Sequence, residues 1–227
     1  MKKILFPLMV IMLLPATYSC SSLQKLGYTL NQKDAENALR QLLQIGTKEG
    51  GYLNAFSKEN MLSAVFPEPV AKALKTLQQL GLSNEIDRFT TTLSTAAEQT
   101  AEKSVPIFLD GIDRMQFKDA IAVIKNGGTA ATDYLRSSVG DSLRRAVTPV
   151  MQQALDEYKL TKQWNDIIKP VKALTGDKLN VNLSSLMAGI VTEVMFQKIA
   201  AKEQQIRTDA SARTTSLLKK VFSQNRN

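Results

Sequence analysis

The chain has 227 residues, of which 44% are hydrophobic, and its 29 basic and 21 acidic residues give a formal net charge of +8. This hydrophobic share fits a folded domain and excludes a wholly disordered chain. The chain contains no histidine, which excludes Ser-His-Asp triads, Cys-His pairs and histidine-rich zinc sites. Any enzyme chemistry would have to rest on carboxylate, lysine, tyrosine, serine or arginine side chains.

Residues 1–19 have the layout of a secretory signal peptide. Lys2 and Lys3 provide a positive start, and residues 4–14 provide an apolar stretch. That stretch is too short to span a membrane, which takes about 20 helical residues. Cys20, the single cysteine of the chain, follows directly. The pattern predicts a lipoprotein, in which cleavage before Cys20 and acylation of its thiol attach the protein to a membrane.

Residues 20–30 are predicted to form the lipidated cysteine and a short tether. Loss of Lys2 and Lys3 with the signal leaves 27 basic and 21 acidic residues, a balance of +6. No acidic residue follows Cys20 closely, and by bacterial sorting patterns this favours the outer membrane over the inner membrane. We therefore predict a periplasm-facing lipoprotein of the cell envelope. The charges are spread along helical faces of mixed sign, which is typical of a solvated surface and not of a nucleic-acid site.

Residues 31–222 show helical periodicity almost throughout, because apolar residues recur at spacings of three and four. The run Leu179, Val181 and Leu183 alternates as in a strand, but no other run could pair with it, so it predicts an extended connector. We predict a single all-α, bundle-like domain of about eight or nine helices with no substantial sheet. A polar tail over residues 223–227 follows the domain.

Capping and helix-breaking residues predict several helix ends. Asn31 predicts the N-cap of the first helix, and Gly46 and Gly50-Gly51 predict its end. Ser104 followed by Pro106 predicts the start of a new helix, since proline is tolerated in a first turn. Pro149 predicts a kink or a split in a later helix.

Several segments of the chain resemble a known protein family. They are Pro67-Glu68-Pro69, Leu80-Gly81-Leu82, Pro106-Ile107-Phe108, Asp113 to Ala120, Gly127-Gly128, Ala131-Thr132-Asp133-Tyr134 and, most specifically, Arg213 to Phe222. On these residues the chain resembles the bacterial domain-of-unknown-function family 4197 from about Asn31 to Phe222. It departs from that pattern at Ala210, where a proline is expected, and at Gln116, where a Thr or Ser cap is common. The resemblance implies export and an all-helical architecture, and it implies no activity.

Three aspartates form a candidate cation site. Asp110, Asp113 and Asp119 cluster with Arg114 around one predicted helix start. Asp110 and Asp113 share a helical face, and with a carboxylate from the preceding helix they would offer the oxygen ligands that hard cations prefer. The alternative is structural, with Asp119 stabilising the positive end of a helix dipole and Arg114 pairing with a neighbour. We favour this alternative, and we predict no metal and no cofactor.

Two arginines form a candidate anion site. Arg207 and Arg213 flank Asp209 at the link between the last two helices. A pair of exposed guanidinium groups would hold a carboxylate or phosphate in a forked contact. The alternative, which we favour, is that both arginines attach the C-terminal helix to the domain through Asp209 and helix-end carbonyls.

Three functions remain open at the level of sequence. The first is a non-enzymatic interaction or scaffold domain, held at the membrane by acyl chains on Cys20, with a protein partner in the cell envelope and no nucleic acid. The second is a module that binds an apolar or amphipathic small ligand in a cavity lined by Met151, Met187 and Met195. The third is a carboxylate- or cation-dependent enzyme built on the aspartates named above. We predict the first.

Overall fold

The computed structural model describes residues 29–56, 68–175 and 182–223. These residues contain eight α-helices and no strand, which confirms the predicted all-α class. In chain order the helices are α1 (Gln32–Lys48), α2 (Glu68–Leu77), α3 (Ser83–Arg114), α4 (Ala120–Asn126), α5 (Ala130–Glu157), α6 (Leu160–Thr175), α7 (Leu183–Thr208) and α8 (Ser216–Phe222). The predicted signal peptide, Cys20 and Leu179 and Val181 of the predicted connector lie outside the described residues.

Helix α7 is the central helix of the bundle. It packs along α5, α1 and α3, while α5 packs on α3, and α6 covers another part of α3. Val191, Met195 and Ile199 of α7 are fully buried in this arrangement. Among the described helices, α7 alone is long and apolar enough to cross a membrane by length and composition. Its central place in the bundle accounts for that composition, because a helix enclosed by neighbours is apolar around much of its circumference.

Helix α1 begins as predicted, and one of its two predicted end signals lies inside it. The Asn31 side chain accepts a hydrogen bond from the Asp34 backbone N–H at 2.8 Å, which confirms the N-cap. Gly46 does not end the helix, since α1 continues to Lys48, just before the second predicted stop at Gly50-Gly51. A Cβ at Gly46 would lie 3.1 Å from Cγ2 and 3.3 Å from Cα of Ile199. Glycine is required inside this helix because α7 approaches its backbone closely.

Both prolines that were expected to interrupt helices lie inside them. Helix α3 runs unbroken from Ser83 to Arg114 with Pro106 inside, so the predicted helix start at Ser104 is wrong. Pro149 lies inside α5 and does not split it. Both prolines lie on exposed faces, where the carbonyl that loses its donor can bind water. Burial of the long apolar faces outweighs the local cost of an internal proline, which is about 3 kcal/mol.

Two glycines predict opposite responses to the same substitution. Gly46→Ala is expected to destabilise the domain by about 1–3 kcal/mol, because the added methyl group would overpack against Ile199. Gly189→Ala is expected to stabilise it by about 0.5–1 kcal/mol, since alanine favours a helix interior over glycine. A Cβ at Gly189 meets only the Arg144 side chain, at 3.7 Å. Urea denaturation followed by circular dichroism measures both changes, and equal changes in the two variants would contradict the assigned close approach.

Candidate functional site

A fully buried carboxylate lies at the start of helix α5. Glu203 of α7 has no exposed side-chain surface. Its Oε1 accepts the backbone N–H of Ala131 at 2.9 Å, and its Oε2 accepts the N–H and the hydroxyl of Thr132 at 2.8 and 2.7 Å. These N–H groups belong to the first turn of α5, where no intrahelical acceptor is available. The carboxylate therefore satisfies the helix start and complements its positive dipole end.

Arg207 is the counter-ion of Glu203. Its Nε and Nη2 both lie 2.8 Å from Oε1 of Glu203, and its side chain is 8% exposed. The remaining donors reach the last turn of α4, where Ile124 O and Val123 O accept at 3.0 and 3.3 Å. The guanidinium group also lies over the Phe222 ring, 5.2 Å from its centroid. This cluster ties the end of α4, the start of α5 and helix α8 to α7.

Arg213 bonds to the end of α7. Its side chain is buried, at 2% exposure. Its Nε donates to Ile206 O at 2.9 Å and its Nη2 donates to Arg207 O at 2.8 Å. A helix leaves its last carbonyls without intrahelical donors, and this guanidinium group supplies donors together with a favourable charge at the negative dipole end.

Arg40 has the same role at the end of α3. It donates to the carbonyl oxygens of Ile112, Asp113 and Met115, the last two at 2.8 and 3.0 Å. Three helix ends are thus bonded by arginines, two of which, Arg40 and Arg207, come from a different helix.

The candidate anion site is not formed as an exposed fork. Arg207 and Arg213 both face inward and bond to the internal acceptors described above. Asp209 pairs with neither. Its carboxylate accepts the hydroxyl of Ser211 at 2.7 Å and the Ser211 N–H at 2.8 Å, and these hydrogen bonds lower the pKa of Asp209. The arginines attach the C-terminal segment through helix-end carbonyls and Glu203, and not through Asp209.

The three candidate cation ligands have separate partners. Asp110 pairs on the surface with Arg114 at 2.7 Å. Asp113 accepts a hydrogen bond from Gln44 Nε2 at 2.7 Å. Asp119 caps α4 by accepting the N–H of Ala122 at 2.9 Å. The structure does not gather these carboxylates, and across the described ranges no group of three or more Asp, Glu or Cys side chains is arranged to hold a metal ion.

The candidate cavity methionines lie in the packed core. Met151, Met187 and Met195 are completely buried, and the Thr100 hydroxyl lies 3.4 Å from Sδ of Met151. They line neither of the two grooves described below. Another buried polar group, the Tyr52 hydroxyl, donates to Thr47 O at 2.9 Å. Burial raises the pKa of Tyr52, which keeps the hydroxyl protonated for this bond.

An open polar groove of about 430 Å³ lies between helices α5 and α7, and we call it the α5/α7 groove. Arg136 forms one wall, with Nη1 3.1 Å from Asp133 Oδ1 and Nη2 3.0 Å from Glu193 Oε1. Its guanidinium group lies 5.0 Å from the centroid of the Phe196 ring. These contacts hold charges of both signs in defined positions along the groove.

Two of the residues that line the α5/α7 groove are glycines, Gly140 and Gly189. A Cβ at Gly140 would lie 3.7 Å from the Phe196 ring, and a Cβ at Gly189 would lie 3.7 Å from Cδ of Arg144. Exposed serine side chains line its α5 side, namely Ser137, Ser138 and Ser142. A second, larger groove of about 890 Å³ lies between α3 and α6, and its described lining residues include Glu85, Arg88 and Ile167.

Sequence reasoning missed Glu203, Arg136 and the α5/α7 groove. A local signal existed for each. Glu203 and Arg207 have the i, i+4 spacing of a helical ion pair, and Arg136, Gly140 and Arg144 recur at intervals of four on one face of a helix. Neither spacing shows what lies opposite that face, because the neighbouring helix is distant in sequence.

The fold and these contacts define an all-α domain whose buried charges are bound at helix ends. Residues 29–223 match the family described as Protein of unknown function (DUF4197), and the chain belongs to that family. The match confirms the resemblance that the sequence motifs indicated. Comparisons with curated proteins and with solved structures found no match.

Proposed function

We propose that this protein is a lipid-anchored, non-enzymatic domain of the bacterial cell envelope that binds a protein partner through the α5/α7 groove. In this proposal, acyl chains on Cys20 hold the domain at the periplasmic side of a membrane, with the outer membrane favoured. The signal-like layout of residues 1–19 and the position of Cys20 support the anchor.

The α5/α7 groove is the observation that carries the proposed partner binding. It is open to solvent, and its charged side chains are held by ion pairs. Small-molecule sites are usually enclosed and mostly apolar, whereas protein interfaces combine polar rims with hydrogen-bonding groups. The exposed serines and the charges of both signs suit recognition of a polar protein surface.

The contacts of the buried charges support the non-enzymatic part of the proposal. Glu203, Arg207 and Arg213 already bond to backbone groups at helix ends. A catalytic acid or base needs a free site directed at a substrate, and these groups face the protein. The candidate aspartates each have a different local partner.

Photo-crosslinking in the bacterium that encodes the chain tests the proposal. A crosslinking amino acid at Ser138, inside the groove, is expected to give a discrete protein adduct. The matched control is Gln153, which is also exposed on α5 but does not line the groove. The same adducts from both positions, or none from either, would contradict the proposed groove.

The same cells test the anchor through Cys20→Ala. The unsubstituted chain is expected to fractionate with membranes and to incorporate labelled fatty acid. The Cys20→Ala variant is expected to lose both properties, because no other cysteine can accept the acyl chains. A Cys20→Ala variant that stayed in the membrane fraction would overturn the lipoprotein assignment.

A further inference from the structure

The start of α1, helix α8 and the loop before α4 lie at the same end of the domain. Lys220 Nζ of α8 is 3.3 Å from Asp34 Oδ2 of α1. Gln32 Nε2 of α1 donates to Phe117 O, in the loop before α4, at 3.3 Å. These contacts bring two segments that are distant in sequence to the first turn of α1.

Helix α8 is amphipathic and directs its lysines outward. Leu218, Val221 and Phe222 are buried against the domain, whereas Lys219 and Lys220 are exposed. The Thr215 hydroxyl at the start of α8 donates to Gln41 Oε1 at 2.8 Å. Since Thr215 contacts residue 41 and Lys220 contacts residue 34, α8 runs antiparallel to α1 and ends beside its start.

Four exposed lysines lie at this end of the domain, namely Lys33, Lys118, Lys219 and Lys220. We call the region that they define the basic end. The charges of the chain are distributed unevenly. Residues 214–227 contain three basic residues and no acidic one, whereas α3 contains three basic and six acidic residues. Three acidic side chains lie near the basic end. Asp34 is only partly exposed and pairs with Lys220, Glu36 is partly buried and accepts a hydrogen bond from Gln32 at 2.9 Å, and Asp119 caps α4.

The proposed anchor keeps the basic end near the membrane. Eight residues separate Cys20 from the first described residue, Thr29, so the tether reaches at most about 30 Å when fully extended. By comparison, helix α5 alone is about 40 Å long, from Ala130 beside the Glu203 cluster to Glu157. The fully extended tether is therefore shorter than this one helix.

We infer that the basic end lies against the membrane and binds anionic phospholipid headgroups. This inference rests on the proposed lipid anchor and adds an electrostatic contact that orients the domain. Each lysine close to an anionic surface strengthens binding by about fivefold. Opposite charges attract over a Debye length of about 8 Å at physiological salt, so the contact forms only when this end faces the lipid.

Lysine labelling of the lipidated, full mature chain on vesicles tests this orientation. The protein is reconstituted in vesicles of phosphatidylcholine alone or with one-third phosphatidylglycerol, and acetylation of each lysine is quantified by mass spectrometry. We expect acetylation of Lys33 and Lys118 to fall about fivefold or more in the anionic vesicles. Lys162 and Lys169, which are exposed on α6, are expected to react equally in both. High salt is expected to abolish the difference.

Matched double variants isolate the lysines that carry the contact. Replacing Lys219 and Lys220 with Gln is expected to remove the protection of Lys33 and Lys118, whereas replacing Lys162 and Lys169 with Gln is expected to preserve it. Uniform acetylation in both vesicle types, with the protein still bound to vesicles, would overturn the orientation alone. Failure of the purified chain to carry lipid or to float with phosphatidylcholine vesicles would overturn the anchor, and hence the function proposed above.

Discussion

Replacing Glu203 with Gln is expected to lower the free energy of unfolding by about 3–5 kcal/mol, the usual cost of removing one member of a buried ion pair. The substitution leaves the Arg207 guanidinium group, 8% exposed, without its counter-ion. It also places an amide NH₂ where the carboxylate accepts bonds from Ala131 and Thr132. Buried donors without acceptors add to the cost. Urea denaturation monitored by circular dichroism measures the change.

Two further variants separate this effect from a general loss of charge. Glu193→Gln removes a carboxylate from the same helix that pairs with Arg136 on the surface and is about half exposed. Because exposed pairs contribute little, its expected cost is below about 1 kcal/mol. A double variant, Glu203→Gln with Arg207→Gln, is expected to lose less stability than the two single changes combined, since the partners are coupled. Equal losses for Glu203→Gln and Glu193→Gln would show that the buried cluster does not stabilise the fold.

Replacing Arg213 with Ala is expected to cost about 3 kcal/mol, because hydrogen bonds from a charged donor contribute about 1.5–3 kcal/mol each and are only partly additive. The change removes the donors of Ile206 O and Arg207 O at the end of α7. It also leaves a cavity where the buried Arg213 side chain packs, in the segment between α7 and α8. We expect α8 to detach before the rest of the domain unfolds, and hydrogen exchange at the Leu218 amide measures this local opening.

Arg213→Lys and Arg114→Ala are the matched controls. A lysine keeps the charge but lacks the planar fork that reaches two carbonyls, so Arg213→Lys is expected to lose about half as much stability. Arg114 is largely exposed and pairs with Asp110 on the surface, and Arg114→Ala is expected to change stability by less than about 0.5 kcal/mol. If Arg213→Lys proved as stable as the unsubstituted chain, charge alone would account for the helix-end contact.

The two large effects are located at the same end of α7. Glu203 joins that helix to the start of α5, and Arg213 joins it to the segment that leads into α8. Both side chains bond to backbone groups that a helix cannot satisfy by itself. The domain therefore uses its buried charges to hold helix ends together, and this is why we propose the exposed α5/α7 groove, and not the buried cluster, as the recognition surface.

Much of the helical architecture could be predicted because helices impose a local period. The buried stripe of α1 and the Asn31 cap follow from spacing and capping chemistry within one or two turns. The errors at Gly46 and Pro106 arise where local signals conflict with packing. Ile199 occupies the space above Gly46, and the apolar face of α3 continues on both sides of Pro106. Neither fact is visible in a short stretch of sequence.

The sequence by itself determined the all-α class, the family, and the signal-like layout that predicts an anchor at Cys20. These depend on composition, on short periodic patterns and on motifs within a few residues. Only the tertiary structure decided that Glu203 meets Thr132, that Arg207 and Arg213 face inward, and that Lys220 pairs with Asp34 at the start of α1. The physical reason is that every helix end has backbone donors or acceptors without partners inside the helix. Which side chain bonds to them depends on which distant segment packs against that end.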